Sequence, residues 1–355
     1  MSFVWIQQLL KNIFRPVVRP LFSRLRLIIR EEITNGLSFQ TASTHLRPPS
    51  TIEITERPLF PKIIKTFYEW DNFVDKANHL EATDSKKFHQ HLQAHTWDIQ
   101  AFIDQFEQQG GKIRKKSPLS EMDYFKKEKE FFEFLSGKPY DFKHEGHHLD
   151  VDSVMKNYPL SCYRNYIDYN WNGFSLLNYI QPRIGGRFLD LGYGWGNLLE
   201  LFGRAGCSVS GVDASPSFQE LALRRCTMQN IKIDLLTHGP FSLVCDFQSQ
   251  YDYIAFDSAF HHCETPVDIL SLLRKKVSSD GRLIFINEPI VDWFERPWGF
   301  VRSDGETALQ IRKRAWFEIG IRTDFFNELL EVTGWRLLDT TSHQFIHPTF
   351  IAQPI

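Results

Sequence analysis

From Gly186 onward, short runs of apolar and β-branched residues alternate with longer stretches whose apolar positions recur every three or four residues. The short runs Arg187–Leu191, Ser208–Val212, Ile231–Leu236, Tyr251–Phe256 and Arg282–Asn287 predict strands. Between them the spacing predicts helices ending near Ala205 and Thr227, and a third over Pro266–Val277. Strand, helix and strand at this spacing build βαβ units, hence a parallel sheet with helices on both faces. The pattern then changes. Thr323–Val332 reads as a helix stopped by Gly334, and Trp335–Thr341 and Phe345–Ala352 read as two strands. Strands joined so closely pair antiparallel.

Ahead of this lies a charged, helix-rich stretch from Lys62 to about Gly137. Aromatics recur there at helical steps, as at Phe102 and Phe106 and again at Phe125, Phe131 and Phe132, with one break at Gly110–Gly111. Asn35–Pro61, rich in Thr, Ser and Pro, reads as a linker. The first thirty residues carry Lys11, Arg15, Arg19, Arg24, Arg26 and Arg30 and no acid. Pro16 and Pro20 interrupt any helix there, but Leu21, Leu25, Ile28, Ile29 and Ile33 share one helical face. A basic amphipathic helix of this kind packs on its own protein or on a second copy, making a homo-oligomer. Its alternative is peripheral contact with an anionic membrane. The chain thus divides into an amino-terminal arm and linker (1–50), a helix-rich region (51–150) and an α/β domain (151–355).

Composition narrows the class. The 355 residues are 42% hydrophobic and 24% charged, which is globular rather than disordered, and 31 Phe supply material for a large core. A net charge of −2 argues against a nucleic-acid partner. No apolar run approaches the roughly 20 residues that span a bilayer, and the opening MSFVWIQQLL lacks the form of a secretory leader. Five cysteines without a CxxC pair predict no disulfides and a reducing, cytoplasmic home, with the basic helix as the one feature that would bring the protein to a membrane.

The sharpest chemical signal is Phe188-Leu189-Asp190-Leu191-Gly192-Tyr193-Gly194-Trp195-Gly196-Asn197: a strand, an acid, then three alternating glycines opening a helix. Glycines let a ligand approach the backbone, and the helix start faces that ligand. The spacing is GxGxG, not the GxGxxG of dinucleotide sites, which favours a nucleoside without a pyrophosphate and disfavours NAD. About twenty residues on, Val209-Ser210-Gly211-Val212-Asp213-Ala214-Ser215 ends a second strand in an acid placed to accept from a ribose diol. Ser215 also suits the N-cap of the next helix.

LDLGYGWG, GVDAS, Tyr251–His262 and Gly281–Pro289 together resemble the successive motifs of class I S-adenosylmethionine-dependent methyltransferases over roughly the last 190 residues. The resemblance implies a doubly wound, Rossmann-like sheet of seven strands, mostly parallel with the last antiparallel, carrying a helical amino-terminal extension. It implies S-adenosylmethionine as cofactor, with Asp190, Gly192, Tyr193, Gly194 and Gly196 around its methionine part, Asp213 on its ribose and Ala214 and Ser215 near its adenine. Asp257, ending the fourth strand, is counted with them. Where many members carry an acid after the third strand, this chain has His238-Gly239-Pro240-Phe241. Phe241 is then expected to pack on adenine, with Asp246 as a substitute acid.

The candidate catalytic groups are His261 and His262, which follow the fourth strand, and Glu288, which follows the fifth. Imidazole titrates near neutrality and suits a general base; the alternatives are closure of the cofactor pocket for the histidines and an orienting acceptor for Glu288. His144–His148 and His261–Cys263 lack metal-site spacing, so no metal is expected. Aromatics among charges in Ser161–Trp171 and Trp293–Gly299, then Arg302, Asp304, Glu306 and Trp316, suit a sugar ring or, equally, core packing. The expected function is O-methylation of a sugar, glycolipid or small metabolite. Its rival is a non-catalytic scaffold that keeps the cofactor pocket. Asn-Pro-Pro-Tyr and Pro-Cys runs of nucleic-acid methyltransferases are absent from the expected strand ends.

Overall fold

The computed structural model describes residues 61–355 apart from 114–118, 120–122, 147, 159–166, 293–295, 301 and 342–348. The expected helix at Leu21–Ile33, the linker as far as residue 60, and the side chains of Ser161–Trp171 lie outside the described residues. Arg57–Ile355 form one compact unit.

The aromatic repeat of the helix-rich stretch does form helices. β1 (Lys62–Ile64) leads into α1 (Phe67–Thr83) and α2 (Ser85–Gln93); β2 (His95–Trp97) leads into α3 (Ile99–Gln108), and α4 (Tyr124–Ser136) follows. α1 starts at a capping box in which Thr66 and Glu69 satisfy each other's backbone N–H groups. α4 stops at Gly137, whose φ of +72° suits a residue without Cβ. β1 and β2 pair in parallel, a contact the sequence pattern did not predict.

The α/β part runs α5 (Val151–Lys156), α6 (Ile167–Ile180), β3 (Arg187–Leu191), α7 (Asn197–Arg204), β4 (Ser208–Asp213), α8 (Pro216–Met228), β5 (Ile233–His238), β6 (Tyr251–Asp257), α9 (Pro266–Lys276) and β7 (Val277–Ile286). An insert contributes β8 (Ile290–Val291), β9 (Trp298–Gly299), α10 (Gly305–Leu309) and β10 (Gly320–Arg322). The chain ends with α11 (Thr323–Val332), β11 (Trp335–Thr341) and β12 (Thr349–Pro354). The sheet order is β11-β12-β7-β6-β3-β4-β5, with β12 antiparallel to both neighbours. The expected seven-stranded, mostly parallel sheet is therefore present. Three strands differ from expectation, and of these β12 ends at Pro354 rather than Ala352. β5 sits two residues later than predicted, and β7 begins at Val277 rather than Arg282, because Val277 pairs with Tyr251 across the polar Ser278-Ser279-Asp280.

β3 leads outward through β4 to β5, and the chain then returns to β6 on the other side of β3. Such a reversal opens a crevice at the carboxyl ends of the strands. Phe188 on β3 stacks on Phe202 of α7 with ring centroids 3.9 Å apart, and Phe256 on β6 stacks on Phe285 of β7.

The insert packs against the amino-terminal helices, not over the sheet face alone. The Trp70 indole donates to Ala308 O at 2.9 Å, and the Tyr124 hydroxyl donates to Trp298 O at 2.8 Å. Arg296 donates to both oxygens of Glu128 at 2.8 Å in a buried pair. Phe300 fills the space between Trp97, Phe131 and Phe132. One apolar core thus runs from α1 through the insert to β7.

Candidate active site

The turn after β3 is shaped by what glycine permits. Gly192 has φ of +75°, and a Cβ there would lie 2.4 Å from the Cβ of Ala259. Gly194 has φ of +46°, and a Cβ there would meet nothing within 4 Å, so this glycine faces open space. The Gly194 N–H donates to Asp213 Oδ2 at 2.8 Å, and the Ser215 N–H donates to Asp213 Oδ1 at 2.8 Å. Each carboxylate oxygen keeps acceptor capacity for a second donor. Ser215 also caps α8, as expected, accepting from the Phe218 N–H at 3.3 Å. The fully buried Arg225 braces the turn from behind, donating to Trp195 O, to Asn197 Oδ1 at 2.8 Å and to Glu200 at 2.8 Å.

A cavity of about 410 Å³ opens over the ends of β3, β4 and β6. Of the expected cofactor residues, Asp190, Gly192, Tyr193, Gly194, Asp213, Ala214, Phe241 and Asp257 line it. Gly196 starts α7 and Ser215 caps α8; both stand behind the lining. Asp190 is 1% exposed, and its Oδ1 has no hydrogen-bond partner among protein groups. Burial, then the nearby Asp257 and Asp213 carboxylates, raise its pKa well above the usual range. Burial pushes Asp257 up to about 7, although the Asn287 amide donates to it at 2.6 Å. Pro240 and Phe241 both line the cavity where an acid is common. Asp246 is exposed and outside the lining, so it does not take the acid's place.

These donors and acceptors fit S-adenosylmethionine. The orphaned Asp190 Oδ1 suits an ammonium group, the Asp213 carboxylate suits a vicinal diol, and the space above Gly194 admits a ligand against bare backbone. Phe241 offers a ring face beside Gly239 and Pro240.

The far wall comes from two segments distant in sequence. A short 3-10 turn at Phe142–Glu145 brings Phe142 and Glu145 to the cavity beside Tyr140, and the insert brings Trp316. The Trp316 indole donates to His144 O at 2.7 Å, and the Phe317 N–H donates to Glu145 Oε1 at 2.8 Å. Glu145 Oε2 lies 3.1 Å from His262 Nδ1. Burial opposes charging of His262, but the carboxylates of Glu145, Glu318 and Glu288 prevail and lift its pKa to about 9. Sequence reasoning missed Glu145, which the structure brings to the cavity beside His262; its signal was the His144–His148 cluster, read there only for metal spacing.

The three catalytic candidates separate. His262 lines the cavity; among the described lining residues His261 and Glu288 do not appear. Glu288 accepts from the N–H groups of Ala259, Phe260 and His261 at 2.7, 2.8 and 3.1 Å and is 2.8 Å from His261 Nδ1. Burial works to raise its pKa, but His261 and these donors hold it below the usual value. That is the geometry of an orienting acceptor. Ligand atoms of His261, His262 and Glu318 come within 4.8 Å of one another. Each is engaged by a charged partner: His261 by Glu288, His262 by Glu145, and Glu318 by Arg302 at 3.7 Å. The aromatic insert expected at the acceptor divides as well. Arg296 and Trp298 belong to the core, and Trp316 reaches the cavity.

Residues 189–285 match a family described as a methyltransferase domain. A protein of Haemophilus influenzae described as uncharacterized is 29% identical over 183 residues, 50% of this chain and 71% of that one. The mitochondrial ubiquinone biosynthesis O-methyltransferase of Schizosaccharomyces pombe is 33% identical over 101 residues, 28% of this chain and 37% of the relative. The chain therefore spans little more than a third of that relative's length. Among solved structures, a S-adenosylmethionine-dependent methyltransferase from Clostridium acetobutylicum is 14% identical with a TM-score of 0.42, covering 58% of this chain and 99% of that one.

Proposed function

We propose, from the premise that the sheet-bearing part of this chain is a class I S-adenosylmethionine-dependent methyltransferase domain, that the protein O-methylates a sugar, glycolipid or other small hydroxylated metabolite. The observation that carries this reading is the buried, unpartnered Oδ1 of Asp190 beside a ribose-ready Asp213 in one cavity.

When bound, S-adenosylmethionine supplies a methyl group activated on a sulfonium. Asp190, the glycine turn and Asp213 would hold and orient it, and the wall of Tyr140, Phe142 and Trp316, which lines the same cavity, would exclude water and hold the acceptor. Alignment of the two reactants supplies most of the rate. His262 would take the proton from the acceptor hydroxyl as general base. Nδ1 of His262 faces Glu145, which leaves Nε2 as the nitrogen for the acceptor. His261 and Glu288 are positioning residues that hold the turn carrying His262.

Calorimetric titration with S-adenosylmethionine, S-adenosylhomocysteine and NAD, beside Asp213→Ala, tests the reading. Micromolar binding of the first two, lost in the variant, is expected. Binding of NAD alone, or of none of the three, overturns it.

A further inference from the structure

The charge of the cavity limits what it can accept. Five carboxylates line it, from Glu145, Asp190, Asp213, Asp257 and Glu264, and among the described lining residues there is neither Lys nor Arg. The cofactor brings an ammonium and a sulfonium against one carboxylate, a net charge of one positive. That leaves the wall negative even with the cofactor in place.

Among the described residues, several cations near the acceptor wall are already engaged, and Lys143, between Phe142 and Glu145, is exposed and outside the lining. Lys129 Nζ lies 2.7 Å from Glu264. Arg314 stands over the Trp316 ring at 5.2 Å and pairs with Glu81 at 3.1 Å. Arg302 is held by Asp304 at 3.0 Å, Glu306 at 3.2 Å and Glu318 at 3.7 Å. His262 is paired with Glu145 at 3.1 Å. The helix start at this wall is no substitute. Thr265 precedes Pro266, which has no N–H to give, and Asp268 puts a further negative charge in the first turn of α9. Phosphate and carboxylate groups are held most strongly by free Arg or Lys, or by open helix N–H groups. What the wall does offer is ring surface from Tyr140, Phe142 and Trp316, with the carboxylates of Glu145 and Glu264 in the same lining.

We propose that the acceptor of this enzyme is an uncharged, hydroxyl-bearing ring compound, and that the chamber made by the amino-terminal region and the insert excludes its phosphorylated and carboxylated forms. The inference rests on the methyl-transfer function proposed above. It places nucleotide sugars and sugar phosphates outside the substrate range and leaves neutral glycosides, lipid-linked or free, and phenols within it. Glu264 is the residue that keeps Lys129 from serving an anion.

The full chain, incubated with tritium-methyl S-adenosylmethionine and a small-molecule cell extract, tests this. Unreacted cationic cofactor is first removed on a cation exchanger, and the labelled products are then passed over an anion exchanger at pH 8. Label is expected in the flow-through. In Glu264→Gln, which frees Lys129, the share of label in the retained fraction is expected to rise several-fold. Wild-type label found mainly in the retained fraction overturns the proposal. So does label in neither fraction when S-adenosylhomocysteine binding is intact by calorimetry. Loss of that binding would instead strike the methyl-transfer reading itself.

Discussion

The backbone N–H of Gly194 donates to Oδ2 of Asp213 at 2.8 Å, tying the turn after β3 to the end of β4. One carboxylate therefore does two things: it holds the glycine turn and it offers acceptor capacity to a diol. Asp213→Ala removes both. Hydrogen bonds to a charged group contribute about 1.5–3 kcal/mol each, so cofactor affinity is expected to fall by roughly 100-fold. Asp213→Asn keeps the volume, but it removes the charge and can turn an amide NH₂ toward the Gly194 N–H. It is expected to rescue little. Calorimetry on both variants checks this, and an Asn variant that binds like wild type would contradict it.

Asp190 couples binding to protons. Burial and two neighbouring carboxylates raise its pKa, so the free protein tends to hold it neutral. An arriving ammonium favours the ionised form. Binding then releases a proton, and affinity rises with pH until Asp190 is ionised in the free protein. At pH 7 the binding heat is expected to depend on the ionisation enthalpy of the buffer, in the sense of release to the buffer. Asp190→Asn should abolish most of that dependence and weaken binding by about 10–100-fold, the loss of one charge-assisted bond.

Some of this site was legible because its causes are local. Asp190, Gly192 and Gly194 announce themselves since a strand followed by alternating glycines has few other uses, and Asp213 falls at the next strand end. The strands themselves were read from short apolar, β-branched runs set between stretches of helical period, and most fall within a residue or two of expectation. β7 was cut short because Ser278-Ser279-Asp280 look like a turn until Tyr251 is known to pair with Val277. The acceptor wall was not legible. Glu145 meets His262, and Trp316 meets His144, only because α4 and the insert share a core, and no local period encodes a contact between distant segments. The same core explains why Arg296 and Trp298, which look like ligand residues in sequence, are structural.

His262 gives the pH profile a direction. Its pKa is raised to about 9 by Glu145, Glu318 and Glu288 against the opposing effect of burial. A base must first be unprotonated, so kcat/KM is expected to rise with pH up to a limb near that value. For stability the sign is opposite. The ion pair with Glu145 contributes below the ordinary imidazole range and is lost as pH rises through about 9. Glu145→Gln removes the nearest negative charge and should lower the His262 pKa by about 1–3 units, moving the limb to lower pH. Titration of the ring by NMR in wild type and variant measures this without an acceptor. A limb or a ring pKa unchanged in Glu145→Gln would remove Glu145 from the role assigned to it.

The buried pair of Arg296 and Glu128 joins α4 to the insert, and so supports the wall that carries Tyr140 and Trp316. Glu128 is fully buried, and burial pushes its pKa up to about 7 even with the guanidinium beside it. Arg296→Met removes the counter-ion while keeping much of the side-chain volume. Breaking such a pair from one side destabilises by about 3–5 kcal/mol, whereas replacing both partners with apolar groups is often near neutral. Unfolding by urea should therefore show a large loss for Arg296→Met and a much smaller one for Arg296→Met with Glu128→Leu. The single variant's loss should also shrink as pH falls. With its counter-ion gone, Glu128 accommodates burial by taking up a proton, which is easier at pH 5.5 than at pH 8. A loss equal at both pH values would mean that Arg296 acts by packing against Phe131 and not as a counter-ion to Glu128.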